Sequence, residues 1–227
     1  MLQPQDFFDL SGYKYRDIFD GIEFVWDALK LIPEYTQAKL EPGICGEVSP
    51  LAQVNDEAVY IGPGTVVEAG AVITGPAIIG ANCEVRAGAY IRGNVIVGDR
   101  AIVGHTTELK TCILFNEVVV PHFSYVGDSI FGWKAHLGAG VKISNFKINS
   151  TQVVVTVNNK RYDTGLLKFG AILGDEAEIG CNSVLNPGTL VGKRTLVYPN
   201  ASIRGYYAPD CIIKLRQRYE VVKRHSN

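Results

Sequence analysis

The stretch "VYIGPGTVVEAGAVITGPAIIGANCEVRAGAYIRGNVIVGDRAIVG", Val59 to Gly104, carries an aliphatic residue at every sixth position. Ile61, Val67, Ile73, Ile79, Val85, Ile91, Val97, Val103 and, just beyond, Leu109 make nine such positions in a row. A helix would place apolar residues three and four apart, and a lone strand would place them two apart. Period six therefore predicts short strands joined by sharp turns, with Gly, Asn and Asp where the turns need unusual backbone angles. Each coil of such a chain buries its aliphatic residues only by stacking on the next. The predicted fold class is mainly β, a parallel β-helix of the hexapeptide-repeat type.

Working outward, Phe131, Leu137 and Ile143 keep the spacing, and so do Leu173, Ile179, Leu185, Val191, Val197 and Ile203. The register slips once, between Phe115 and Phe131. Residues 14–32 read as an amphipathic helix with Ile18, Ile22, Val25, Trp26 and Leu29 on one stripe and Pro33 ending it. "TQVVVTVNNKRYDTG", Thr151 to Gly165, alternates around Asn158-Asn159 and predicts a β-hairpin protruding from the coil. The expected organisation is an N-terminal helical extension over 1–50, the β-helix over 51–207 with a hairpin insertion at 148–165, and a basic tail over 208–227. The tail from Cys211 is read as a strand with a solvated charged face.

Composition narrows the function. In 227 residues, 22 Lys plus Arg stand against 23 Asp plus Glu, so no global field favours nucleic acid, and any site for an anion must be local. Hydrophobic residues make up 47% of the chain, enough for a large core. Five cysteines without C-x-x-C spacing suit free thiols in a reducing cytoplasm. The N-terminus shows no basic segment followed by an apolar one, and no run is long enough to span a membrane.

The spacing resembles that of hexapeptide-repeat proteins, and this resemblance implies three hexads per coil, which would place residues 18 apart one above the other, about 4.8 Å apart. Arg92 and Lys110 are 18 apart, and Tyr90 and Glu108 repeat the offset beside them. Two stacked cations repel unless an anion lies between them, so the pair suggests a phosphate subsite, with Lys168 available as a third cation. "VVVPHFSYVGDSIFGWKAHLGAG", Val118 to Gly140, breaks the ladder with His122, Tyr125, Asp128 and His136. His122 beside a phosphate-gripping face suits a general base. A metal site built from His105, His122 and His136 is the rival, but their spacings of 17 and 14 and the lack of a Cys or carboxylate cluster argue against it.

The run "GHTTELKTCILFNEVVVPHFSYVGDSIFGWKAHLGAGVKISNFK" resembles the acetyltransferase domain of bifunctional N-acetylglucosamine-1-phosphate uridyltransferases. "NNKRYDTGLLKFGAILGDEAEIGCNSVLNPGTLVG" is similar to the archaeal-type sugar-1-phosphate nucleotidylyltransferases that carry an amino-sugar acetyltransferase domain. The likeness covers roughly residues 60 to 205, and H-x-x-Y-x-G-D followed by L-G-A-G and S-N-F is its most specific part. It implies a left-handed coil, a homotrimer with the site between subunits, and acetyl-CoA as donor substrate to a hexosamine 1-phosphate, with no metal required.

Carried over residue by residue, the resemblance makes His122 the catalytic base, with Glu108 the carboxylate that would hold its imidazole and Asn145 beside the amino sugar. Arg92, Lys110, Tyr125 and Lys168 match the groups that hold the sugar phosphate. Ala139 matches the position whose backbone N–H faces the thioester carbonyl, and Cys181 and Pro199 stand at coenzyme positions. This chain departs from the bacterial pattern at His136, where a sugar-binding Asn is usual, at Phe146 in place of Tyr, and at Cys181 in place of Ser. The sugar is therefore left open. No G-x-G-T-R loop occurs near the N-terminus and about 50 residues precede the ladder, so nucleotidyltransferase activity is not expected. Acylation of a nucleotide-linked sugar and a non-catalytic assembly module are the alternative readings.

Overall fold

The computed structural model describes residues 2–224, and they form the expected left-handed parallel β-helix of about 10 turns. Every ladder position named above is buried: Ile61, Ile79, Val85, Ile91, Val97, Val103, Leu109, Phe131, Leu137, Ile143, Leu173, Leu185 and Val191 are fully enclosed, and the others are at most 5% exposed. Each such side chain taken from water contributes roughly 1.5–3 kcal/mol.

Each coil has three faces. The first runs through Val59–Ile61, Ala77–Ile79, Val95–Val97, the ends of Glu108–Leu114 and Tyr125–Phe131, Ala171–Leu173 and Thr189–Val191. The second runs through Val66–Val67, Glu84–Val85, Ile102–His105, Val119–His122, His136–Leu137, Glu178–Ile179 and Leu196–Val197. The third runs through Val72–Ile73, Tyr90–Ile91, the starts of Glu108–Leu114 and Tyr125–Phe131, Lys142–Ile143, Val184–Leu185 and Ser202–Ile203.

The first face is apolar on both sides. Its outer column, Ile78, Ile96, Ile113, Ile130, Ile172 and Leu190, is in register from coil to coil and buried. The cover is the N-terminal segment, which differs from the helix expected over residues 14–32. The chain makes 3-10 turns at Arg16–Phe19 and Val25–Asp27, bends at Gly21 with φ 74°, and only then forms an α-helix over Ala28–Lys39. Pro33 lies inside that helix and does not end it. The hydrogen bond that Pro33 cannot donate is outweighed by burial of Ala28, Leu29 and Ile32 on the face that packs against the coil.

The ladder slips twice, not once. Val97 pairs with Leu114 and Leu114 with Phe131, each an offset of 17, because two corners have lost a residue. Leu114 takes the inner position, so Phe115 turns outward and stacks on Tyr13 with ring centroids 3.8 Å apart. The three-residue corner Arg92-Gly93-Asn94 shrinks to Lys110-Thr111 and then to Gly127-Asp128 in successive coils, with Thr111 and Asp128 at φ 47° and 48°. In the following coil the same corner opens after Asn145 and closes at Lys168, where Phe146 and Lys168 form an antiparallel bridge.

Between them rises a hairpin of Val154–Val157 and Lys160–Asp163, turned by Asn158 and Asn159, both at positive φ, as a tight two-residue hairpin turn requires. Beyond Cys211 only Ile212–Ile213 is strand, paired with Leu196–Val197, and residues 214–224 lack regular structure. The last three residues of the expected tail lie outside the described residues.

Candidate active site

The third face is exposed between two polar edges. Its outer column reads Tyr90, Glu108, Tyr125, Lys142, Val184, Ser202 from coil to coil, a mixed polar surface where the first face has isoleucines.

The edge shared with the second face carries His105, His122, Ala139, Cys181 and Pro199 in one column. Phe123 donates its N–H to the His105 carbonyl, Gly140 to His122, Asn182 to Ala139 and Asn200 to Cys181, at 2.8–3.0 Å. Spacings of 17, 17, 42 and 18 residues in sequence thus become one step each in space. The His122 side chain is exposed, its ring is tilted against Phe123 at 6.1 Å, and it has no hydrogen-bond partner among the described residues. The neighbouring His105 is tied down: its Nδ1 lies 2.6 Å from the Ala87 carbonyl, so Nδ1 carries the donated proton. Corner N–H groups elsewhere in the coil meet side-chain oxygens, as Ala81 does at Asp99 and Trp133 at Asp175. The Ala139 N–H meets none among the described residues, which leaves it free for an oxygen from outside.

The edge shared with the first face gathers Arg92, Lys110, Asp128, Asn145 and Lys168. Asp128 is 8% exposed; its carboxylate accepts a hydrogen bond from the Asn145 amide and lies in the field of both Lys110 and Lys168. Burial pushes its pKa up, and the Asn145 bond and the two lysines pull against that shift. The Asn145 amide also lies 3.3 Å from the Tyr125 hydroxyl. Gly127 leaves room for this pair: a Cβ there would meet the Tyr125 hydroxyl at 2.6 Å and the Asn145 amide nitrogen at 2.7 Å and would push these side-chain ends apart. This explains the glycine of the H-x-x-Y-x-G-D motif.

Two expectations change. Glu108 accepts from Arg92 Nη1 at 2.9 Å, so among the described residues it orients the guanidinium and not the His122 imidazole. The cation stack is also not left to a ligand alone: Glu108 faces Arg92, and Asp128 faces Lys110 and Lys168. Three cations against two carboxylates still leave this corner net positive. His136 is set apart from the cluster, on the outer column of the second face beside Val119 and Glu178. Asp128 was visible in the motif but had no role assigned; its signal was a carboxylate at a position where the repeat turns inward. Among the described residues no group of three or more His, Cys, Asp or Glu is placed to hold a metal ion. No helix among them is long and apolar enough to cross a membrane.

Comparison with known proteins agrees with the resemblance carried by the motifs. The family described as the GMPPB C-terminal domain matches residues 73–161. Over 217 residues the chain is 29% identical to the bifunctional protein GlmU of Methanococcus maripaludis, which spans 96% of this chain and 52% of that protein. Over 101 residues it is 34% identical to the bifunctional sugar-1-phosphate nucleotidylyltransferase/acetyltransferase of Sulfurisphaera tokodaii, covering 44% of this chain and 25% of that one. The chain therefore matches between a quarter and about half of the length of these relatives. Among solved structures, the Arabidopsis UDP-N-acetylglucosamine acyltransferase is similar at a TM-score of 0.42 and 11% identity, over 76% of this chain and 70% of that one.

Proposed function

We propose that this chain is a sugar-directed acyltransferase and, more narrowly, an acetyl-CoA-dependent N-acetyltransferase of a hexosamine 1-phosphate. Glucosamine 1-phosphate is the first candidate, with a place in cytoplasmic nucleotide-sugar and cell-envelope precursor synthesis. The acetyltransferase in the name of the Sulfurisphaera relative supports the reaction class. The observation that carries the reading is the pair of edges on one face: His122 one step above the unpaired Ala139 N–H on one side, and Arg92, Lys110 and Lys168 on the other. A homotrimer, implied by the resemblance, would close the open third face against a neighbouring copy.

The chemistry follows from the placement. Arg92, Lys110 and Lys168 hold the phosphate and so direct the amine across the face toward His122. An ammonium ion has no lone pair, so it first gives one proton to solvent; the neutral amine then attacks the thioester carbonyl carbon, and His122 takes a second proton from the nitrogen as the bond forms. As the C–N bond forms, the carbonyl oxygen gains negative charge and accepts the Ala139 N–H, a donor type worth about 3 kcal/mol to the transition state. The C–S bond then breaks, and the departing thiolate recovers the proton from the His122 imidazolium. Cys181 and Pro199, further down the same edge, would line the path of the coenzyme.

The test is free-thiol release from acetyl-CoA with glucosamine 1-phosphate, galactosamine 1-phosphate, the unphosphorylated sugars and a nucleotide-linked amino sugar, side by side. Turnover that requires the 1-phosphate is expected. Turnover only with the nucleotide-linked sugar would replace the acceptor, and none with any of them would favour a binding module.

A further inference from the structure

We propose a second ligand site, for a nucleoside diphosphate, in the cleft between the hairpin and the coil; nothing in the acetyl transfer requires this cleft. It encloses about 610 Å³, within the range of roughly 300–1,000 Å³ typical of small-molecule sites. Its walls bring together Lys147, Arg161 and Arg204 with the stems of Val154 and Thr156 and the ring of Tyr206. No carboxylate is among the described residues that line it.

The cleft exists because of how the hairpin docks. Val153, Val155 and Val157 turn inward and are buried, so Val154 and Thr156 turn the other way, with Arg161 directly opposite Thr156 across the hairpin. The floor is Gly188, where a Cβ would meet the Val153 side chain at 2.7 Å, so only glycine lets the first hairpin strand settle this close to the coil. The remaining wall, Arg204 and Tyr206, follows Ile203 at the corner that carries Arg92, Lys110 and Lys168 in earlier coils. Coenzyme positions Ala139, Cys181 and Pro199 lie on the opposite edge of the third face.

Charge and shape set the ligand class. Arg204 is exposed and has no ion-pair partner among the described residues. Arg161 has one carboxylate, Asp163 at 3.4 Å, with both side chains more than two-thirds exposed, a geometry that contributes little. Lys147 donates to the Thr151 hydroxyl at 2.6 Å and the Gln152 carbonyl at 3.1 Å, so it is positioned but its charge is not neutralised. Two guanidinium forks and an ammonium around one cleft match the oxygens of two linked phosphates. Pyrophosphate alone would leave most of 610 Å³ unfilled. The Tyr206 ring, half-buried and held edge-on against Phe7 at 6.4 Å, offers a fixed surface for a planar base.

The experiment is calorimetric titration of the full chain with ADP, GDP, UDP, inorganic pyrophosphate and coenzyme A, repeated on Arg204→Ala and Arg161→Ala. At least one nucleoside diphosphate is expected to bind with a Kd below about 100 µM and at least ~5-fold more tightly than pyrophosphate. Each substitution should weaken it about 10-fold while changing coenzyme A affinity less than ~2-fold. Both arginines are exposed, so the variants should fold. The proposal is overturned if no nucleoside diphosphate binds below about 1 mM, if binding survives both substitutions, if pyrophosphate binds equally well, or if coenzyme A affinity falls in parallel. The readout does not involve turnover, so a protein that binds nucleotide but transfers no acetyl group would sink the acetyltransferase reading and leave this one standing.

Discussion

The first and third faces of the coil share one inner ladder and differ only in what they show to the outside. On the first face the outer column is isoleucine after isoleucine, from Ile78 to Ile172, sealed beneath the N-terminal segment. On the third it is Tyr90, Glu108, Tyr125 and Lys142, open along its length and bounded by two polar edges. A period-six repeat guarantees the scaffold and leaves the outward side chains free to be assigned face by face. Stability is concentrated where the outside is covered, and chemistry where it is not.

Substituting one residue on each side would sharpen this division. His122→Ala should lower acetyl transfer by about 10²- to 10⁴-fold, the usual contribution of a positioned base, with an unchanged melting temperature because the side chain is exposed and unbonded. Near-normal steady-state turnover in that variant would remove His122 from the mechanism. Trp26→Ala should do the reverse. Trp26 is 1% exposed, stacks on Phe24 at 4.8 Å and sits near Tyr162 and Phe169, so its loss should cost about 3–5 kcal/mol in urea unfolding. Activity per folded molecule should persist. Unfolding at an unchanged urea midpoint would mean that the N-terminal cover is not part of the core.

The inner ladder was legible because each of its residues faces the same demand, burial at a fixed repeat. The slips were less so: Leu114 and Phe115 are adjacent and both apolar, and only packing against Tyr13 shows which one turns outward. Pro33 misled because the loss of one hydrogen bond in a helix is a local cost, whereas burial of Leu29 and Ile32 is decided by the coil beneath. The outer column was in principle readable, since "AII", "VIV" and "CIL" recur with no polar member, the mark of a strand buried on both faces. At the site, stacking offsets brought Arg92 and Glu108 to neighbouring positions but could not tell which way a carboxylate turns. Glu108 turned to Arg92. Asp128 stayed without a role because its meaning depends on Lys168, which arrives 40 residues later, across the hairpin.

Asp128 is where the two principles meet, a carboxylate buried like the first face yet serving the third. Its folded pKa lies above the ordinary 3.8, chiefly because of burial. A carboxyl shifted this way supports the fold when protonated: that contribution is complete below the unfolded value and is lost as pH rises through the folded one. At neutral pH the ionised group is therefore held at a cost. Asp128→Asn keeps the volume and an acceptor for the Asn145 amide but removes the charge, so it should raise the melting temperature at pH 7 by about 2 °C. The gain over the native chain should shrink as pH is lowered toward 3.8. The same change leaves Lys110 and Lys168 without the anion they share, so turnover should fall about tenfold even as stability rises, the usual exchange where a polar group is buried for function. A variant less stable at pH 7 than the native chain would show that the lysines more than repay the burial, and would make Asp128 a structural ion pair with no part in shaping the phosphate edge.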